Sequence, residues 1–219
     1  MVRSVIFDLD GTLLNTLDDI KAVVNRVMAA RGHRERTTEE VRLAVGMGVE
    51  TLSRKLLPPG TEEREVLDTA EDIRRVYLET GSILTEPYGG IREMLEAVAS
   101  MDLPMAVLSN KPQASTDEAV STFFPSAPFR IVRGVIAGRP IKPSPESVTD
   151  VISALGTLPR ETAMVGDSDV DMRTATSAGL IPVGVSWGFR ERELLMAHGA
   201  SIVVDSPQEL AALFSLPQR

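Results

Sequence analysis

At 219 residues, with 43% hydrophobic and 25% charged side chains, the chain is composed like an ordinary globular protein, long enough for a core with a smaller partner domain. A net charge of −8 argues against a nucleic-acid surface, which needs Lys and Arg in excess to neutralise phosphates, and the absence of cysteine excludes disulfides, thiolate nucleophiles and cysteine-held metals. No apolar run reaches the ~18 residues of a membrane span and the N-terminus lacks a secretory pattern, so a cytoplasmic chain with no membrane partner is expected.

The β-branched and aromatic run Val5-Ile6-Phe7 predicts a buried strand. It ends in Asp8-Leu9-Asp10-Gly11-Thr12, two carboxylates at a tight turn where Gly11 lets backbone approach an anion. From Leu17 to Met28 apolar residues recur at three- and four-residue spacing, which predicts a helix closed by Gly32 and His33. Thr37 and Glu40 form a capping-box pattern ahead of Val41. The stretch Val45-Gly46-Met47-Gly48 breaks two short helices, Pro58-Pro59-Gly60 stops the second, and a longer helix follows with Val66, Ala70, Ile73 and Tyr77 on one face. Four helices and no strand are expected between Asn15 and Thr80.

From Pro87 the pattern alternates. A helix around Ile91 to Val98 precedes a strand at Met105–Leu108, and a helix after Lys111-Pro112 precedes a strand near Ile131–Ile136. A helix then carries Val148 to Leu155, and a strand at Thr162–Val165 runs into Gly166-Asp167. The helix Val170–Ala178, the strand Ile181–Val185 and a closing helix–strand–helix complete the chain. Repeated αβ units predict an α/β fold with a doubly wound parallel sheet, interrupted after its first strand by a small α-helical insertion. The expected boundaries are 1–14 and 82–219 for the core and 15–81 for the helical domain.

Four polar clusters stand at or after expected strand ends: Asp8/Asp10, Ser109-Asn110, Lys142-Pro143 and Gly166-Asp167-Ser168-Asp169-Val170-Asp171. In a parallel sheet those ends gather at one edge, where ligands bind. Each cluster alone has an ordinary reading: a turn, a helix N-cap, a solvated lysine, or an acidic helix start favoured by the macrodipole. Together their chemistry is consistent. Asp8, Asp10 and Asp167 offer the hard oxygens Mg²⁺ prefers, Ser109 can donate to a phosphate oxygen and Lys142 can neutralise one. One carboxylate is competent to attack phosphorus, and the other to protonate an alkoxide and then activate water.

On these four motifs the chain resembles the haloacid dehalogenase-like (HAD) hydrolase superfamily over essentially its whole length, and its tail from Val183 to Pro207 is similar to the phosphoglycolate phosphatase-like subgroup. The resemblance implies Asp8 as nucleophile and Asp10 as general acid/base. It implies Mg²⁺ on Asp8, the Asp10 carbonyl and Asp167, with Asp171 and Ser168 supporting from behind. Ser109, Asn110, Lys142 and the Gly11-Thr12 turn are expected to bind the phosphoryl group. The insertion would be the superfamily's cap, with Gly46, Met47 and Gly48 as its specificity loop. Asn15 departs from the pattern, since relatives usually carry aspartate there.

The expected activity is Mg²⁺-dependent hydrolysis of a small phosphorylated metabolite, phosphoglycolate first, by a monomer or homodimer. Rival readings are β-phosphoglucomutase, pyrophosphatase or nucleotidase, and, from another class, a non-catalytic phosphate-binding regulator. Trp187 and Phe189 would either line the site or pack a loop.

Overall fold

The computed structural model describes residues 2–215; Met1 and residues 216–219, counted above with the core, lie outside them. In chain order the elements are β1 (Ser4–Phe7), β2 (Leu14–Asn15), α1 (Leu17–Ala30), α2 (Thr38–Ala44), α3 (Gly48–Leu56), α4 (Glu63–Thr80) and β3 (Glu86–Pro87). Then come α5 (Ile91–Ser100), β4 (Met105–Pro112), α6 (Gln113–Phe123), β5 (Phe129–Val135) and α7 (Thr149–Leu155). The chain ends with β6 (Thr162–Gly166), α8 (Asp169–Ala178), β7 (Ile181–Val185), α9 (Arg192–Ala197), β8 (Ile202–Val204) and α10 (Pro207–Ser215). It divides into two compact units, Met1–Leu14 with Pro87–Arg219, and Asn15–Glu86.

The first unit is built on a six-stranded sheet in the order β5-β4-β1-β6-β7-β8, with every neighbouring pair parallel. Successive residues of β1 point to opposite faces, and both faces are covered. Val5 and Phe7 pack with residues of α5 and α10, whereas Ile6 packs with Val151 and Leu155 of α7 and Ala175 of α8. That explains why β1, β4 and β6 are apolar without alternation. At fully buried Phe7 a change to alanine would cost about 3–5 kcal/mol.

The sequence stops β4 at Leu108, yet the strand runs on to Pro112. Its polar end reads as a turn in one dimension, but after an irregularity beyond Leu108 the strand pairs with β5 again, Pro112 with Val135. Ser109, Asn110 and Lys111 therefore belong to the strand.

The second unit carries four helices around one apolar cluster that includes Val24, Met28, Val41, Leu52, Leu56, Val66 and Ile73. The capping box forms at α2, where Thr37 Oγ1 accepts from Glu40 N at 3.2 Å and a Glu40 carboxylate oxygen accepts from Thr37 N at 2.9 Å. Buried Asp19 accepts from Leu84 N at 3.0 Å and Thr85 Oγ1 at 2.6 Å, which ties the end of the insertion to α1. Residues 45–47 separate α2 from α3, and Gly46 and Gly48 both take left-handed φ. Two two-residue strands, β2 and β3, pair where the chain enters and leaves the insertion; neither is legible in the sequence. No helix among the described residues is long and apolar enough to cross a membrane.

Candidate active site

Asp8 follows β1 directly, and its N–H still donates to Val165 O at 2.9 Å, so the sheet fixes its backbone. Beyond it the chain curls around one acceptor: Leu9 O receives the N–H groups of Thr12, Leu13 and Leu14. Gly11 turns the curl at φ +90°, and a Cβ there would overlap the Asp167 carboxylate. The tight turn expected from the sequence is thus needed to let Asp167 close on the loop.

Lys142 is the centre of charge. Only 2% exposed, it donates to Asp8 Oδ1 at 2.7 Å and to Asp171 Oδ1 at 2.6 Å. Asn110 sets its position: the amide donates to Lys142 O at 2.9 Å and accepts from Lys142 N at 3.0 Å. Asp171 is held from its other side by Ser168, whose hydroxyl donates to Oδ2 at 2.6 Å and caps α8. No donor among the described residues reaches Asp8 Oδ2.

Asp167 leaves β6 at the same edge. Its Oδ1 accepts from Thr12 Oγ1 at 3.1 Å and its Oδ2 from Phe189 N at 2.6 Å. Trp187 Nε1 donates to Thr12 O at 3.0 Å, so Trp187 and Phe189 pack and hold the loop that carries the aspartates. The sequence also counts Gly11, Thr12 and Asn110 among the phosphate-binding residues, but the structure gives their groups other partners. Gly11 N–H goes to Leu14 O, Thr12 to Leu9 O and Asp167, and the Asn110 amide to Lys142.

Three buried carboxylates, Asp8, Asp167 and Asp171, bring one oxygen each within 4.8 Å of one another, and the Lys142 ammonium pairs with Asp8 and Asp171. Burial, then the Asp171 charge, push the Asp8 carboxyl well above its ordinary range against the pull of Lys142. The same two causes raise Asp167 to about 7. Burial pulls Lys142 down, but Asp171 and Asp8 outweigh it and hold its ammonium above the usual value. Surplus negative charge on hard oxygens, with no sulfur ligand, fits a divalent cation such as Mg²⁺. Asp8 keeps one oxygen with no donor among the described residues, whereas both oxygens of Asp167 and of Asp171 already accept hydrogen bonds.

A pH dependence follows for metal-free protein. An aspartate raised from 3.8 to about 7 keeps its proton in the folded state over an interval where the unfolded chain has lost it. Stability therefore falls as pH rises from about 4 to 7. Thermal melts in chelator should show that decline, with Asp167→Asn flattening it; a pH-independent Tm would contradict the crowding of these carboxylates.

Sequence reasoning missed Lys111. Buried beside the site, its Nζ lies 3.1 Å from Asp10 Oδ1 and 3.5 Å from Oδ2. It also missed Tyr88, whose hydroxyl is raised above its ordinary pKa by burial and then by Asp167 and Asp10. A cavity of about 460 Å³ lies beside the Asn110–Lys142 clamp, lined also by Arg133, Arg139 and Asp150. Neither Asp8 nor Asp10 lines it, so it is not where the aspartates would meet a substrate.

Residues 5–185 match the sequence model of the haloacid dehalogenase-like hydrolase family. Among curated proteins, the chain is 30% identical over 212 residues to the phosphoglycolate phosphatase of Pseudomonas putida, covering 95% of this chain and 78% of that one. It is 29% identical over 210 residues to the N-acetylmuramic acid 6-phosphate phosphatase of Pseudomonas aeruginosa, covering 95% and 93%. Among solved structures, a protein of Lactobacillus delbrueckii subsp. bulgaricus, provisionally named a phosphoglycolate phosphatase, superposes with a TM-score of 0.91 at 27% identity and 99% coverage of both chains.

Proposed function

The chain belongs to the haloacid dehalogenase-like hydrolase family and is a phosphatase of its phosphoglycolate phosphatase-like subgroup, and on that footing we propose that it hydrolyses a small phosphomonoester, phosphoglycolate first, with Mg²⁺ and through an aspartyl-phosphate on Asp8. One observation carries the reading: Asp8 has one oxygen locked by buried Lys142 and the other with no donor among the described residues, at the carboxyl edge of a parallel sheet.

In the first step Asp8 Oδ2 attacks phosphorus, the P–O ester bond breaks, and its electron pair stays on the leaving oxygen, which takes a proton from the Asp10 carboxyl. In the second, Asp10 takes a proton from water as the water oxygen bonds phosphorus. The phosphorus–Oδ2 bond breaks, and Asp8 is restored as a carboxylate with inorganic phosphate released. Ser109 and Lys142 steady the phosphoryl oxygens, Lys142 through the donor that Asp8 and Asp171 leave over. Asp8, Asp167 and the Asp10 carbonyl would hold Mg²⁺, which when bound neutralises charge between these carboxylates and the phosphoryl group. Positioning and charge then supply most of the acceleration.

The unit Asn15–Glu86 takes the role of cap in this reading, with Gly46, Met47 and Gly48 as its specificity loop. Similarity to an N-acetylmuramic acid 6-phosphate phosphatase favours that sugar phosphate as a second substrate. Phosphate release from both compounds, with Mg²⁺ and with chelator, tests the proposal, and glucose 1-phosphate checks for mutase activity. Metal-dependent release from phosphoglycolate, the faster of the two, is expected. Asp10→Asn should slow it by about 10²–10⁴-fold, the range for general acid–base work. Inertness towards phosphate monoesters would overturn the proposal.

A further inference from the structure

Lys111 has no task in the mechanism above, yet it is 8% exposed and its ammonium faces the carboxylate of Asp10. Desolvating an ion pair costs several kcal/mol per ion, and an apolar pair of similar volume would serve stability as well or better. A buried cation kept at this place therefore calls for a chemical reason. Asp10 points to one, because in the proposed reaction its carboxyl meets the leaving oxygen.

The distances limit what else Lys111 can touch. A leaving oxygen within the ~2.6–3.2 Å that proton transfer requires of Asp10 is also near Lys111 Nζ, itself 3.1 Å from Asp10 Oδ1. When a carboxylate is bonded to the ester carbon itself, its oxygens lie three bonds from that leaving oxygen. Asp10, the ester oxygen, the substrate carboxylate and Lys111 can then close one ring of short polar contacts. Lys111 also gains position from its own strand: its N–H donates to Ser109 Oγ at 3.2 Å, so the phosphate-side hydroxyl and this lysine move together. Ser109 and Lys111 thus offer one strand end to both halves of such a substrate.

We infer that Lys111 is a specificity-determining residue that binds a carboxylate on the leaving group, so that the preferred substrates are phosphomonoesters of 2-hydroxy acids. The inference rests on the proposed roles of Asp8 and Asp10 and narrows the substrate class within that reading. A point charge suits this task, since it accepts a carboxylate of varied orientation while still reaching Asp10. An alcohol with no anionic group would gain nothing from Lys111.

The test compares kcat/KM for phosphoglycolate, phospholactate and ethyl phosphate in the full-length, Mg²⁺-loaded protein and in Lys111→Met. The wild type should prefer the two carboxylated esters. Lys111→Met should cut that preference at least tenfold, chiefly through KM, with Lys111→Arg keeping most of it. If the methionine variant does not fold, Lys111→Gln, which keeps a donor for Asp10 but no charge, is read by the same ratio. Equal losses on all three esters would assign Lys111 to holding Asp10 only and overturn the inference, while leaving phosphoglycolate as substrate. Hydrolysis of phospholactate but not phosphoglycolate, with the ratio still dependent on Lys111, would overturn phosphoglycolate and support the inference. A wild type that prefers ethyl phosphate overturns both.

Discussion

Asp8→Asn abolishes phosphate release, with an expected loss of at least ~10⁴-fold, the scale seen when a nucleophile is removed from a cooperating set. The fold survives. Asn keeps the size of the side chain, and the Asp8 backbone is held by Val165 O. Lys142 retains Asp171 at 2.6 Å, and one of three crowded carboxylates is discharged. Melting should therefore stay within a few degrees of wild type, and could rise in chelator. Single-turnover assays with radiolabelled phosphate check the mechanism further: wild type should trap label on protein after acid quench, and Asp8→Asn should not. Wild-type turnover by the variant would remove Asp8 from the reaction.

Lys142→Met has the opposite balance and costs both activity and stability. It leaves Asp8 and Asp171 buried with no ammonium between them, and breaking a buried pair in this way destabilises a protein by about 3–5 kcal/mol. Denaturant unfolding in chelator reads this loss. Adding Asp171→Asn to the variant should recover a large part of it, because the two side chains share one network and their effects do not add. Recovery of stability without recovery of turnover is expected, since the phosphoryl group has still lost its cation. A variant as stable as wild type would mean that the triad is not charged as its geometry implies.

These effects were foreseeable from sequence in kind but not in detail. Asp8, Ser109, Lys142 and Asp167 are legible because each stands at or after an apolar run, and parallel strands gather such ends. Their helpers are not legible. Asn110 and Thr12 have the chemistry to bind phosphate, and only three dimensions reveal that one clamps Lys142 and the other Asp167. Lys111 before Pro112 reads as the lead into a helix; its partner Asp10 is 101 residues away, beyond the reach of any local pattern. The four helices of Asn15–Glu86 are legible from their period, and Thr37–Glu40 from its cap. The strands β2 and β3 are not, since two residues carry no period.

The place of β1 in the sheet has a consequence for how the protein is made. Val5 is translated well before its neighbours in the sheet, Met105 and Ala163. At about 5–20 residues per second, roughly 5–20 s pass before β4 exists to pair with it, and longer before β6 does. Residues 15–86 form a continuous helical segment whose contacts are local, the kind that forms fast, so this unit can close while β1 still waits. Asp8 is thus synthesised long before it acquires its surroundings, because Lys142, Asp167 and Asp171 all lie downstream. A nascent chain stalled before residue 142 would carry a finished helical insertion and a nucleophile with no site around it.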